Sequence, residues 1–406
     1  MLICLILFIL GYGFFILNSR IISPLVVFFG FNCLIFFISY FFSGAQSQYS
    51  YAIFLVIISI VAFTIPGILF KLNTPYQRDK LIDVEQLINS SVFTSIWIQC
   101  IIFVGCIFLF YLRLIFDIGI PGKLPTSGSS IINFIAYNGT TWALLFYITM
   151  LCFTRRKVLS LPVVIFFILY GFGNAYLGWR GNMVSGIGSI FLAYLMRNDI
   201  KLISLFKIKY LFYIVLAFIV ILVLFYIAIG YRAAADSDIP LSQALLLVDP
   251  YNVLDILSQR ISMLDNLNHI VLALHHGLIL PLIDSSYYDQ LTIAQYHVQM
   301  VIGQSANQIN GVSSTGIGSI YILTGSAVVV FVVFFIISCI WHYIYYKLFQ
   351  QKNISAELCA FYIMMIWLIR QIIGEQLDIK TTYTFIFLII LYFVFRLYMM
   401  IVGQQR

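Results

Sequence analysis

SYAIFLVIISIVAFTIPGILF, residues 50–70, runs for 21 residues without a charged side chain. At about 1.5 Å of rise per residue, such a run crosses the ~30 Å hydrocarbon core of a bilayer as one α-helix. Membrane barrels are built instead from short segments of alternating polarity, a pattern that this continuous run lacks. Inside hydrocarbon the helix also satisfies its own backbone, which an open strand cannot do.

Working outward, the pattern recurs. Similar apolar runs fall at roughly 2–18, 21–43, 91–112, 135–154, 158–178, 183–196, 210–230, 318–341, 355–373 and 382–401. The expected fold is therefore all-α, a polytopic integral membrane protein of about 11 (10–12) transmembrane helices. The 406-residue chain is 62% hydrophobic, 17% aromatic and 9% charged, with a mean hydropathy of +1.03. No soluble domain of this length tolerates that composition on its surface.

No Lys or Arg precedes the first span and Arg20 directly follows it, so the N-terminus is expected outside. Alternating the spans then gathers 15 of the 22 cations on one side, including Arg20, Arg155, Arg156, Lys157, Arg197 and Lys347. That side is cytoplasmic by the positive-inside rule, as is the C-terminus. The net charge of +7 is a topology signal and gives no argument for nucleic acid. All seven cysteines fall within spans, with no spacing that suggests a disulfide framework or a metal site. No nucleotide-binding loop is present, and no cofactor is expected.

Three segments follow: spans 1–8 in 1–230, one large exported loop in 231–317, and spans 9–11 in 318–406. Loops of that length are usually functional. Asp249, Pro250 and Gly277 bracket an expected helix, broken midway or continuous. On a helical wheel Ile256, Met263, Leu264, Leu267, Val271 and Leu274 share a face, and Arg260 falls within about 40° of four apolar positions. A guanidinium there meets an anion or reaches out to water. Two readings stay open: an interface-lying helix with Arg260 on a lipid phosphate or in an ion pair, or a stripe packed on the membrane domain that aims Arg260 at an anionic ligand.

Three further arginines have the same outer placement: Arg180 in the hairpin GWRGN, Arg232 in GYRAAAD, and Arg370 in WLIRQIIGEQ. Each has a structural alternative, by stacking on Trp179, by reaching out beside Tyr231, or by pairing with Glu375 or Asp378. Four arginines near one surface of so uncharged a chain favour a shared anion site. The planar guanidinium binds phosphate oxygens in bidentate fashion, so a lipid pyrophosphate is the expected ligand. Asp236-Ser237-Asp238 spells a DxD, but an arginine-held pyrophosphate needs no metal. Trp179, Tyr287, Tyr288 and Tyr296 are candidate sugar-stacking surfaces, or belt residues.

The many-span layout with its exported loop, together with LGWRGNMVSGIGSIFLAYL (177–195), YNVLDILSQRISMLDNLNHI (251–270) and GVSSTGIGSIYILTG (311–325), resembles the bacterial O-antigen polymerases of the Wzy type. The likeness covers roughly residues 165–345; the family's Arg followed by Gly eleven residues later is not found here. The resemblance implies a metal-independent, type-C-like glycosyltransferase at the periplasmic face of a bacterial inner membrane. Its donor is a growing glycan on undecaprenyl pyrophosphate, its acceptor one lipid-linked repeat unit, and a chain-length-regulating co-polymerase its usual partner. Arg260 would stabilise the departing pyrophosphate, with Arg180, Arg232, Arg370 and Trp179 holding substrate. Among the loop histidines His269, His275, His276 and His297, His275 is the candidate base, with Asp265, Glu375 or purely electrostatic catalysis as rivals. A straight helix places His275 about 22 Å from Arg260, too far to share one phosphate. An O-antigen ligase and a lipid-linked oligosaccharide flippase are the alternatives.

Overall fold

The structure, a computed structural model, describes residues 2–38, 40, 49–73, 84–120, 125–177, 180–237, 239–249, 263–275, 315–350, 354–374 and 379–403. The described residues are almost entirely helical and contain no strand beyond one isolated bridge between Arg20 and Lys201. Six helices are long and apolar enough to cross a membrane, and four shorter apolar ones accompany them. The chain is an all-α membrane protein.

The helices run in order as α1 (Leu2–Ile16), α2 (Pro24–Asn32), α3 (Ser50–Asn73), α4 (Val84–Ser90), α5 (Ile96–Ile115), α6 (Ser130–Asn138), α7 (Leu144–Thr154) and α8 (Leu161–Tyr176). They continue as α9 (Arg180–Arg197), α10 (Ile208–Ser237), α11 (Leu241–Leu247), α12 (Leu264–His275), α13 (Gly316–Thr324), α14 (Ala327–Gln350), α15 (Ala356–Gly374) and α16 (Ile379–Gly403). Helix α2 is capped by the Ser23 hydroxyl and ends in a wide π-turn, Cys33–Phe37. A second π-turn, Gly139–Ala143, joins α6 to α7.

Helix α15 lies at the centre: 89% of its span is buried, against 6% for α16. Around it pack α2, α7, α9, α13, α14 and α16. Helices α3 and α14 form a second long pair, and Phe63 of α3 stacks on Phe28 of α2 with ring centroids 3.9 Å apart. The apolar residues of α10 and of the outward sides of α1 and α16 stay exposed, among them Phe14, Leu216 and Phe393, as side chains bathed in lipid do.

Contacts between distant residues fix which helix ends lie together. Ile21 donates its backbone N–H to Ile200, and the Tyr362 hydroxyl donates to the Ile22 carbonyl, so α9 finishes where α15 begins. Farther along, the Trp367 indole donates to Ser189 at 2.7 Å. Helices α9 and α15 therefore run in opposite directions, and Arg180 and Arg370 both lie toward the end remote from Arg20.

Two expected boundaries move. The ninth run, expected as one span over 318–341, is divided: Gly325 adopts φ 62°, caps α13, and the crossing helix starts only at Ala327. Helix α10 continues to Ser237, so Arg232 is helical instead of lying in a loop beyond residue 230. The seventh run lies in α9, which carries an arginine at each end and small polar residues between; it is not among the six long apolar helices.

Candidate functional site

Two polar constellations lie at the end remote from Arg20. The first is built around Arg113, expected beyond its span but found in the last turn of α5, fully buried. Leu112, Leu114 and Ile115 beside it keep the sequence apolar enough for the helix to continue. The chain after α5 then folds back over the side chain: Ile118 donates its N–H to the Arg113 carbonyl, and the Arg113 Nε donates to the Ile118 carbonyl at 3.1 Å. Asp117 and Gly119 take positive φ to make that turn. Gly119 is needed on two counts, since a Cβ there would also lie 3.0 Å from the Arg113 Nη2.

The same guanidinium joins three other helices. Its Nη1 donates to the Thr140 hydroxyl at 2.9 Å and to the Asn174 Oδ1 at 3.3 Å. Thr140, in the π-turn after α6, donates its own hydroxyl hydrogen bond to the Ala136 carbonyl. The Asn174 amide oxygen accepts a second bond from Asn182 Nδ2 at 2.9 Å. Asn182 belongs to GWRGN and follows Arg180, the first residue of α9, by two positions. One buried cation thus ties α5, α6, α8 and the opening turn of α9 together. The Arg113 Nη2 has no hydrogen-bond partner, and the guanidinium carbon lies 5.2 Å from the Tyr137 ring centroid.

The second constellation forms where α12 packs over α3 and α13. The apolar stripe expected in the loop packs on the membrane domain, with Leu264, Leu267 and Val271 buried. Met263 donates its N–H to the Ile35 carbonyl at the π-turn of α2, and Gly374 of α15 packs on the Ile35 side chain. Asp265 accepts a hydrogen bond from the Tyr49 hydroxyl. At the other end of α12, His275 is exposed and meets the Tyr51 ring edge-on at 5.4 Å, and Tyr51 in turn lies 5.7 Å from Tyr321. Of these groups the His275 imidazole is exposed, Tyr51 and Asp265 are half-buried, and Tyr49 and Tyr321 are buried.

Gly316 and Gly318 of GVSSTGIGSIYILTG serve packing. A Cβ at Gly316 would lie 2.0 Å from the Ile372 carbonyl oxygen, and one at Gly318 2.7 Å from the Ile270 side chain. The close approach seats α13 against α15 two residues past Arg370, which is itself half-buried. Gly188 of α9 likewise accommodates the Trp367 ring. Arg180 and Arg232 have their backbones in α9 and α10, and Asp236 lies in the final turn of α10. Arg260, Trp179 and Asp238, like Glu375 and Asp378, lie outside the described residues.

Sequence reasoning did not single out Arg113, Thr140, Asn174 or Asn182. The signal was there: an arginine between leucines and an asparagine in GFGNAY, both within apolar runs, where a polar side chain needs a partner. Compared with family models, with curated proteins and with solved structures, the chain matches none.

Proposed function

We propose that this protein is a surface-polysaccharide polymerase of the O-antigen type, joining undecaprenyl-pyrophosphate-linked repeat units at the extracytoplasmic face of a bacterial inner membrane. The observation that carries the reading is the gathering of arginine-bearing helix ends, α9 with Arg180, α10 with Arg232 and α15 with Arg370, toward one end of the bundle. The α12–α13 layer lies over that same end, against α15 and the π-turn of α2. That end is the one the charge distribution assigns to the outside.

In the reaction, an acceptor-sugar hydroxyl attacks the anomeric carbon of the donor glycan. The new C–O bond forms as the bond to the diphosphate breaks, and undecaprenyl pyrophosphate leaves with the electron pair. The hydroxyl proton goes to a base, the role assigned to His275. Arg180, Arg232, Arg260 and Arg370 meet the charge that grows on the departing diphosphate, which removes the need for a metal. Arg113 does not face substrate; through Asn174 and Asn182 it holds the helical turn to which Arg180 belongs.

Alanine at Arg180, Arg232, Arg260 or Arg370 is expected to slow chain growth on the order of 10²-fold while the protein still reaches the membrane. Electrophoretic ladders of surface glycan read the outcome, and ladders of normal length in all four variants would reject the shared anion site. Deleting the whole chain separates the activities: single repeats on the cell surface mark a polymerase, their absence a ligase, and precursor stranded inside a flippase.

A further inference from the structure

At the opposite end of the bundle the chain turns from α7 into α8 through Arg155, Arg156 and Lys157. An open cavity of about 530 Å³ lies there, lined by Thr94, Thr154, Arg155, Arg156, Lys157 and Ser160 among others, with no carboxylate among its described lining residues. The carbonyls of this turn are already occupied, because Arg197 reaches across from α9. Its Nη1 donates to the carbonyls of Cys152 and Arg155, and its Nη2 to that of Arg156 at 3.0 Å. The turn is thereby fixed by a fourth cation without consuming its own three.

Donors are left over on the residues that line the cavity. Arg155 Nη2 reaches the Thr94 carbonyl at 3.3 Å, but its Nε is buried with no hydrogen-bond partner. The Ser160 Oγ is buried and unpartnered as well, and although Ser160 is the N-cap of the 16-residue α8, its side chain caps nothing. The positive end of the α8 dipole therefore faces the cavity with its capping hydroxyl unused. Arg156 and Lys157 are exposed at its mouth, and so are Leu159 and Leu161, at 67% and 73%. Cations, idle donors and a helix N-terminus call for a phosphate; the protruding leucines beside them call for acyl chains.

We infer that this cavity binds the phosphate of an anionic phospholipid in the leaflet that the cation-rich end faces, by the positive-inside rule the cytoplasmic one. Arg155 Nε and Ser160 Oγ take the phosphate oxygens, Arg156 and Lys157 supply the long-range attraction, and Leu159 and Leu161 lie along the lipid tails. The site is independent of the glycan chemistry proposed above.

Native mass spectrometry of the full chain in detergent, exchanged against defined lipid, tests the inference. Phosphatidylglycerol or cardiolipin is expected to remain bound at least about tenfold more than phosphatidylcholine, and the R156Q/K157Q double variant should lose most of that preference. Both substituted side chains are exposed, so the fold should survive; the comparison of lipids on the unaltered protein needs no variant at all. Equal retention of anionic and zwitterionic lipids, or an unchanged preference in R156Q/K157Q, would overturn the site. Complete displacement of bound lipid by millimolar inorganic phosphate would also overturn it, in favour of a free-anion pocket.

Discussion

Arg113 shows how a single side chain can organise a membrane domain poor in charge. A guanidinium at zero exposure persists only where most of its donors are met, and here a carbonyl, a hydroxyl and an amide oxygen from three separate segments engage its Nε and Nη1. Arg113→Ala would leave Thr140 and Asn174 facing a void and is expected to cost about 3 kcal/mol. Arg113→Met fills nearly the same volume without the charge and should cost clearly less. Thermal unfolding of the detergent-solubilised chain reads both; equal losses would mean that the charge, and not the space, holds these helices. The sequence makes this residue visible only as an arginine among leucines. Its partners lie up to 61 positions away, and no local pattern connects them.

Helix packing at the glycine-rich stretch offers a second test. Gly316 lies so near the Ile372 carbonyl that even a methyl group must push α13 away from α15. Gly316→Ala is expected to destabilise by about 1–3 kcal/mol and, on the proposed function, to shorten polymer. Gly325→Ala has open space around it and pays only for its positive φ, on the order of 1 kcal/mol. Heat inactivation of membranes carrying each variant ranks them, and a Gly325 variant as damaged as the Gly316 one would contradict the packing argument. The small-residue character of 311–325 was legible in the sequence, as was the apolar face of α12. The break at Gly325 was not, because hydropathy runs on almost evenly from Ile317 to Ile340 and does not register a left-handed cap.

Across the molecule, the helical class follows from apolar runs long enough to cross a bilayer, and those runs carry most of the helices. Their number is harder to read. Six described helices meet the length and hydropathy of a spanning segment, whereas eleven runs were expected. The difference comes from short helices such as α1, α2 and α8, and from α9, whose Asn182 and Ser189 bond to other helices instead of facing lipid. Which helix ends share a side is decided by long-range pairs such as Arg20 with Asp199, which periodicity does not reveal. Orientation can be measured directly. Phe206, just before α10, and Leu246, in α11 beside the second half of α10, are 70% and 87% exposed. An impermeant thiol reagent added to intact cells should modify Leu246→Cys above the background of the native cysteines and leave Phe206→Cys untouched. The reverse pattern would invert the protein and place the Arg113 end in the cytoplasm.

The wide turn Gly139–Ala143 carries one further consequence. A π-turn accommodates one residue more than a regular helix requires while leaving the segments on either side in phase. Shortening the chain there by one, through deletion of Thr141, should let α6 and α7 merge into an ordinary coil of hydrogen bonds and leave the bundle assembled. The Thr140 hydroxyl would swing off the guanidinium. Near-normal melting together with lost glycan growth would identify the extra residue as kept for activity, whereas collapse on heating would identify it as scaffolding.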